Sequence, residues 1–194
     1  MIKFKVTLIA WLFITIIFLI TESIGVSLVN AFRFGGLYDW NGQIGEWWRL
    51  ITYGFIHSSL SHFIGNLGIG IVVMLYFENK TDSLTTILIF ISGIIIGGIG
   101  FLLFNTEVRT ITLGSSAGIW ALLGAAAINL LLNEKLNLIE FLMVFNLTIL
   151  LVYNSTVATN INNISHYCGY LSGITNLLVL KIMYNRKRMV CNET

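Results

Sequence analysis

Apolar residues run along this chain in long unbroken stretches, separated by short polar breaks such as Glu78-Asn79-Lys80-Thr81-Asp82. Continuous runs read as helices and not as barrel strands, which alternate apolar and polar with a period of two. A bilayer core about 30 Å thick needs roughly 20 apolar residues in a helix. Six stretches qualify, at roughly 6–28, 55–77, 84–104, 116–132, 136–153 and 164–183. The pattern therefore predicts an all-α membrane protein: a single domain over 1–194, built as a bundle of six transmembrane helices, with an outer loop at 30–52 and a tail at 184–194. Lys3 and Lys5 precede the first stretch as they would in a secretory signal. No small-residue cleavage site follows, and the stretch is read as a retained helix.

An even number of spans puts both termini on one side, and lysine and arginine choose the side. With the ends inside, Lys3, Lys5, Lys80, Lys135, Lys181, Arg186, Lys187 and Arg188 lie inside, against Arg33, Arg49 and Arg109 outside. The bias predicts cytoplasmic N- and C-termini. Composition agrees with a bilayer as solvent: 56% of residues are hydrophobic and 10% charged, against about 25% charged in soluble domains. That excludes a water-soluble globule, a disordered chain and a nucleic-acid binder working through a basic face. A net charge of +2 points to no anionic partner. Cys168 lies in an apolar run and Cys191 in the polar tail, so no pairing is expected. The expected location is the cell membrane as a multi-pass protein, and the small six-helix form suggests a prokaryotic plasma membrane. The outer-loop residues Phe32, Phe34, Tyr38, Trp40, Trp47 and Trp48 suit the headgroup level, either as an aromatic belt or as an embedded loop shaping an entrance. The uncharged stretch 154–163 reads as an outer cap before the sixth helix.

Polar residues inside a span are costly unless they are paired or line water, so they carry the information here. They concentrate where the second, fourth and sixth helices begin: His57-Ser58-Ser59-Leu60-Ser61-His62 with Asn66, Gly114-Ser115-Ser116-Ala117-Gly118, and Ser165-His166-Tyr167-Cys168-Gly169. All three histidines lie in these places. With the N-terminus inside, these helices all start at the outer face, and their first turns share one depth. His62 and Asn66 are four residues apart and so lie on one helix face. His57, five residues before His62, is rotated from it by about 140° at 3.6 residues per turn and is less able to join that face.

These parts suit acyl transfer. A serine hydroxyl is a weak nucleophile until an imidazole takes its proton, and the oxyanion that follows needs fixed hydrogen-bond donors. Ser116 and His166 fit the first two roles. His62, the Asn66 amide and the Ser116 backbone N–H fit the third, aided by the positive end of the fourth helix. No acidic residue lies at the outer ends of these helices, so a Ser–His dyad is expected, with Trp120, four residues after Ser116, stacking on the imidazole. Small-x-x-x-small patterns, Gly93 with Gly97, Gly114 with Gly118 and Gly169 with Gly173, read as close helix-packing faces. His-x4-His is a poor helical chelate without an acidic or cysteine partner at its depth, so neither a metal nor any other cofactor is expected. Gly114-x-Ser116-x-Gly118 also spells the nucleophile elbow of soluble hydrolases, which requires a strand–turn–helix in a sheet that this chain lacks. A transporter reading fails because the cluster lies near one face and not at the midplane.

Four motifs in order resemble the rhomboid intramembrane serine proteases: Trp48-Arg49, His57-x4-His62-x3-Asn66, Gly114-x-Ser116 and His166-x2-Gly169-x3-Gly173. The resemblance extends over nearly the whole chain. It implies Ser116 as nucleophile, His166 as general base, His62 and Asn66 as oxyanion-hole donors and His57 as a structural partner beneath the site. It also implies that Gly169 and Gly173 let helices four and six approach, and that transmembrane proteins, single-span or other, are cut near the outer ends of their spans. A water-filled cavity and an entrance near helices two and five belong to the same expectation. The family usually has Gly after the nucleophile, where this chain has Ala117. Ala117 is the feature that leans toward the alternative, a non-catalytic rhomboid-like protein that binds transmembrane clients.

Overall fold

A computed structural model describes residues 4–25, 28–38, 46–105, 110–132, 137–157 and 163–192, without the side chains of 154–155 and 185–192. Lys3, Trp40, Arg109, Lys135, residues 158–162 of the uncharged stretch, and the side chains of Arg186, Lys187, Arg188 and Cys191 lie outside the described residues.

Helix α1 (Lys5–Ile24) buries Thr7, Ala10, Trp11, Ile14, Phe18 and Thr21, a stripe at helical spacing. Leu8, Ile9, Leu12, Ile16 and Leu19 on its other side are exposed, as lipid-facing positions should be. The start of α1 is capped from a distance. The Glu78 carboxylate accepts the N–H groups of Val6 and Thr7, both at 3.1 Å, and the Thr7 and Ser83 hydroxyls, both at 2.6 Å. Gly25, at φ +91°, ends the helix before the expected residue 28, and a separate helix α2 (Leu28–Phe34) follows. The outer loop thus has its own structure: α2, strand β1 (Leu37–Tyr38), α3 (Arg49–Thr52) and a 3-10 turn at Tyr53–Phe55.

Helix α4 (Leu60–Lys80) begins five residues later than the expected 55–77, because Ser59 caps it by accepting the His62 N–H at 3.2 Å. His57 therefore precedes the helix, and the 140° rotation argued from continuous helix does not apply to it. Helix α5 (Ser83–Phe104) is capped by Asp82, which accepts the Thr85 N–H at 2.9 Å. Strand β2 (Ile111–Thr112) pairs antiparallel with β1, Leu37 opposite Thr112 and Tyr38 opposite Ile111. Two-residue strands carry no periodicity, and the sequence gives no sign of them.

Helix α6 (Ser116–Leu132) is the centre of the fold, packed by α4, α5 and α8. Every residue from Ala117 to Ala126 is buried. Helix α7 (Leu138–Val157) leans on α6, buries Val144, and is tied to α4 through Glu140, which pairs with Lys80 and accepts the Tyr76 hydroxyl at 3.2 Å. Helix α8 (Asn163–Asn192) runs on through the stretch expected to be a separate tail. Lys5–Ile24, Leu60–Lys80 and Ser83–Phe104 are long and apolar enough to cross a membrane, while the apolar helices Ser116–Leu132 and Leu138–Tyr153 are shorter. Apart from the two-residue ladder, the described residues form an all-helical integral membrane fold.

Candidate active site

The N-terminal ends of α4, α6 and α8 meet around the turn at Gly114-Ser115-Ser116. Gly114 has φ +107°, a conformation that favours glycine, and its N–H donates to the Tyr53 carbonyl at 2.9 Å. The Ser115 carbonyl accepts the N–H groups of Gly118 at 3.0 Å and Ile119 at 3.2 Å, which starts α6. Ser116 is its first residue, and its Oγ lies 2.8 Å from Nε2 of His166, in the first turn of α8. Trp120, one turn further along α6, stacks on the His166 ring with centroids 5.4 Å apart and planes 19° from parallel.

Two glycines make that approach possible. A methyl group on Gly169 would lie 2.4 Å from the Ala117 carbonyl oxygen, and one on Gly173 would lie 1.8 Å from that of Ala121. Backbone of α8 thus rests on backbone of α6 directly below the Ser116–His166 contact. The Ala117 methyl faces α5: a Cβ on Gly97 would come 2.7 Å from it.

His62 and Asn66 flank the same turn. A methyl on Gly114 would lie 2.7 Å from His62 Nε2 and 3.6 Å from Asn66 Nδ2. Asn66 Nδ2 donates one hydrogen to the His62 carbonyl at 3.1 Å, and a primary amide carries a second. Ser58 Oγ lies 3.2 Å from His62 Nδ1. With the hydroxyl donating there, Nε2 keeps the ring proton and faces the turn as a donor. His57, fully buried, places Nε2 3.4 Å from Ser115 Oγ and sets its ring edge-to-face with His62 at 5.1 Å. Ser116, His166, Trp120, His62, Asn66, His57, Gly114, Gly169 and Gly173 are therefore all brought together.

Three contributors were not legible beforehand. Tyr53 holds Gly114 by its carbonyl while its buried hydroxyl donates to the Ile94 carbonyl at 2.6 Å, both contacts being remote in sequence. Ser115 bonds His57, 58 residues away in sequence, at 3.4 Å. Glu46 anchors Arg49, whose Nε lies 3.0 Å from its carboxylate. The Arg49 guanidinium also donates to the carbonyls of Phe32 at 2.6 Å and Gly36 at 3.0 Å, between the rings of Phe32, Tyr38 and Trp48. Hydrogen bonds from Arg49 and then from the Tyr38 hydroxyl hold the Glu46 carboxyl below its ordinary range. Burial, and then Glu46, pushes the Tyr38 phenol up. The Trp48-Arg49 pair was visible; its partners were not.

Chemically, a serine hydroxyl against an imidazole at a helix N-terminus, with imidazole and amide donors across the turn, suits attack on a carbonyl and stabilisation of the resulting oxyanion. Fold and site define a membrane-embedded helical bundle with a Ser–His pair at the head of its central helix. Residues 44–182 match the family model described as the Rhomboid domain, and the chain belongs to the rhomboid family. It is 29% identical over 115 residues to Rhomboid-related protein 2 of Mus musculus, covering 59% of this chain and 36% of that protein. It is 26% identical over 149 residues to Rhomboid-related protein 1 of Caenorhabditis elegans, covering 73% and 41%. It is 29% identical over 131 residues to a Bacillus subtilis protein named "Putative rhomboid protease YdcA", covering 66% and 65%. The chain spans between about a third and two thirds of the length of these curated relatives.

Proposed function

We propose that this protein is an intramembrane serine endopeptidase of the cell membrane, with six spans and both termini cytoplasmic, that cleaves other transmembrane proteins in or beside their spans. The observation that carries this reading is the 2.8 Å contact between Ser116 Oγ and His166 Nε2 at the head of a buried helix. Ser116 Oγ attacks the scissile carbonyl carbon as His166 takes its proton. The oxyanion is met by His62 Nε2–H, the Asn66 amide and the Ser116 N–H. His166 then returns the proton to the leaving amine, the C–N bond breaks, and an acyl-enzyme remains. A water, deprotonated by His166, hydrolyses the ester and restores both residues. Trp120 keeps the imidazole plane fixed, and no carboxylate partner is required. Because an intact helix hides its carbonyls in backbone bonds, substrates are expected to carry Gly, Ala, Ser or another helix-weakening residue near the outer end of the span.

The alternative, a non-catalytic binder of transmembrane clients, leaned on Ala117, and the methyl of Ala117 is accommodated opposite Gly97. The test is cleavage of a single-span reporter with a helix-weak outer segment, co-reconstituted in liposomes with wild type, Ser116→Ala or His166→Ala. Product from wild type alone supports the dyad. Binding by all three proteins without product across a reporter panel supports the binder instead.

A further inference from the structure

Ser115 and Ser116 are adjacent, yet their hydroxyls engage different histidines on different segments. Ser116 meets His166 on α8 at 2.8 Å, and Ser115 meets His57, ahead of α4, at 3.4 Å. Both members of the second pair are fully buried, so neither belongs to a solvent-facing site. The Ser115 contact is the side-chain hydrogen bond to the His57 ring among the described residues, and the backbone at Phe55 meets the ring as well. That ring in turn stands edge-to-face against His62 at 5.1 Å and against Phe63 at 5.6 Å. His57 therefore touches both halves of the site: the turn that presents Ser116, through Ser115, and the ring that faces Gly114, through His62.

Resting on the protease reading, we propose that Ser115 and His57 form a positioning pair for it. Their hydrogen bond fixes the rotation of the 114–116 turn so that the Ser116 hydroxyl, and not its neighbour's, points at His166, and the His57 ring so held keeps His62 aimed at the developing oxyanion. A rotation of one residue about a helix is about 100°, and displacements near 1 Å at reacting atoms cost up to about a hundredfold in rate. A buried bond that fixes this rotation therefore acts on turnover. Neither Ser115 nor His57 touches substrate in this scheme; both act through the residues beside them.

The test uses the full chain in liposomes with the single-span reporter, comparing wild type, Ser115→Ala, His57→Phe, the double variant and His57→Gln, whose amide can still reach Ser115. The expected result is a roughly 10- to 100-fold fall in kcat for each of the first two variants with KM nearly unchanged. The double variant falls no further than the worse single, and His57→Gln recovers most of the rate. Losses that multiply in the double variant, a change in KM alone, or full activity in Ser115→Ala would overturn the pair. A second measurement stands apart from catalysis: the imidazole 15N resonances of selectively labelled protein. Ser115→Ala is expected to shift the signals of both His57 and His62, and unchanged His62 signals overturn the positioning role. A wild type that leaves every reporter uncut counts against the protease reading, while the 15N spectra still decide the pair.

Discussion

The Ala117 methyl and Gly97 are complementary: the side chain present on α6 occupies the space that the missing one on α5 leaves. The residue by which this chain departs from the usual family pattern is thus answered one helix away. Ala117→Gly is expected to lower stability by about 1–2 kcal/mol, from the lost methyl and the added backbone freedom, without raising reporter cleavage. Gly97→Ala is expected to be worse, because its Cβ would also lie 2.8 Å from the Ser165 carbonyl oxygen, next to His166. Thermal unfolding in detergent and cleavage rates check both, and a faster Ala117→Gly enzyme would contradict the packing argument.

The seam between α6 and α8 lies directly below the 2.8 Å contact of Ser116 with His166. Gly173→Ala places a methyl where the Ala121 carbonyl stands, so α8 must move. Overpacking of this kind costs about 1–3 kcal/mol or more, and the shift is expected to abolish cleavage. A variant that retained wild-type kcat would show that the dyad does not depend on the seam.

Trp120 offers a graded test of ring stacking. Trp120→Phe keeps an aromatic face toward His166 and is expected to reduce kcat modestly. Trp120→Ala opens a cavity, costing about 3–5 kcal/mol, and is expected to reduce kcat far more. Equal rates in the two variants, measured with matched folded fractions, would remove the stack from the argument.

Glu46 links the outer loop to pH. Its carboxyl is held low by Arg49 and Tyr38, so its contribution to loop anchoring is complete above the ordinary carboxylate range and disappears as pH falls through the lowered value. Glu46→Gln is expected to be less stable than wild type at neutral pH, with the difference shrinking under acid. A difference that stayed constant from neutral to strongly acidic pH would assign the effect to packing and not to charge.

The long apolar helices and the meeting of Ser116 with His166 were legible because lipid and chemistry both impose strong local patterns: continuous apolar runs, and polar residues that such runs do not otherwise contain. Boundaries were less so. Gly25 was visible but its positive φ was not, and nothing in the polar stretch around Ser59 marks it as the cap that displaces His57 from α4. The β1–β2 ladder, the Tyr53–Gly114 bond, the Glu78 cap on α1 and the Ser115–His57 contact join segments distant in sequence. Such contacts leave no periodic trace, and only the folded chain displays them.

The contact of α6 with α8 at Gly169 and Gly173 is made by main chain, and main chain is common to all sequences. Inheritance can therefore rewrite the exposed residues of α1 and α7 freely within the apolar alphabet, while the alignment of Ser116 with His166 is guarded at a few positions where any side chain at all is an intrusion. In this protein the tolerance for change lies on the bundle's exposed surface and the demand for accuracy in its interior.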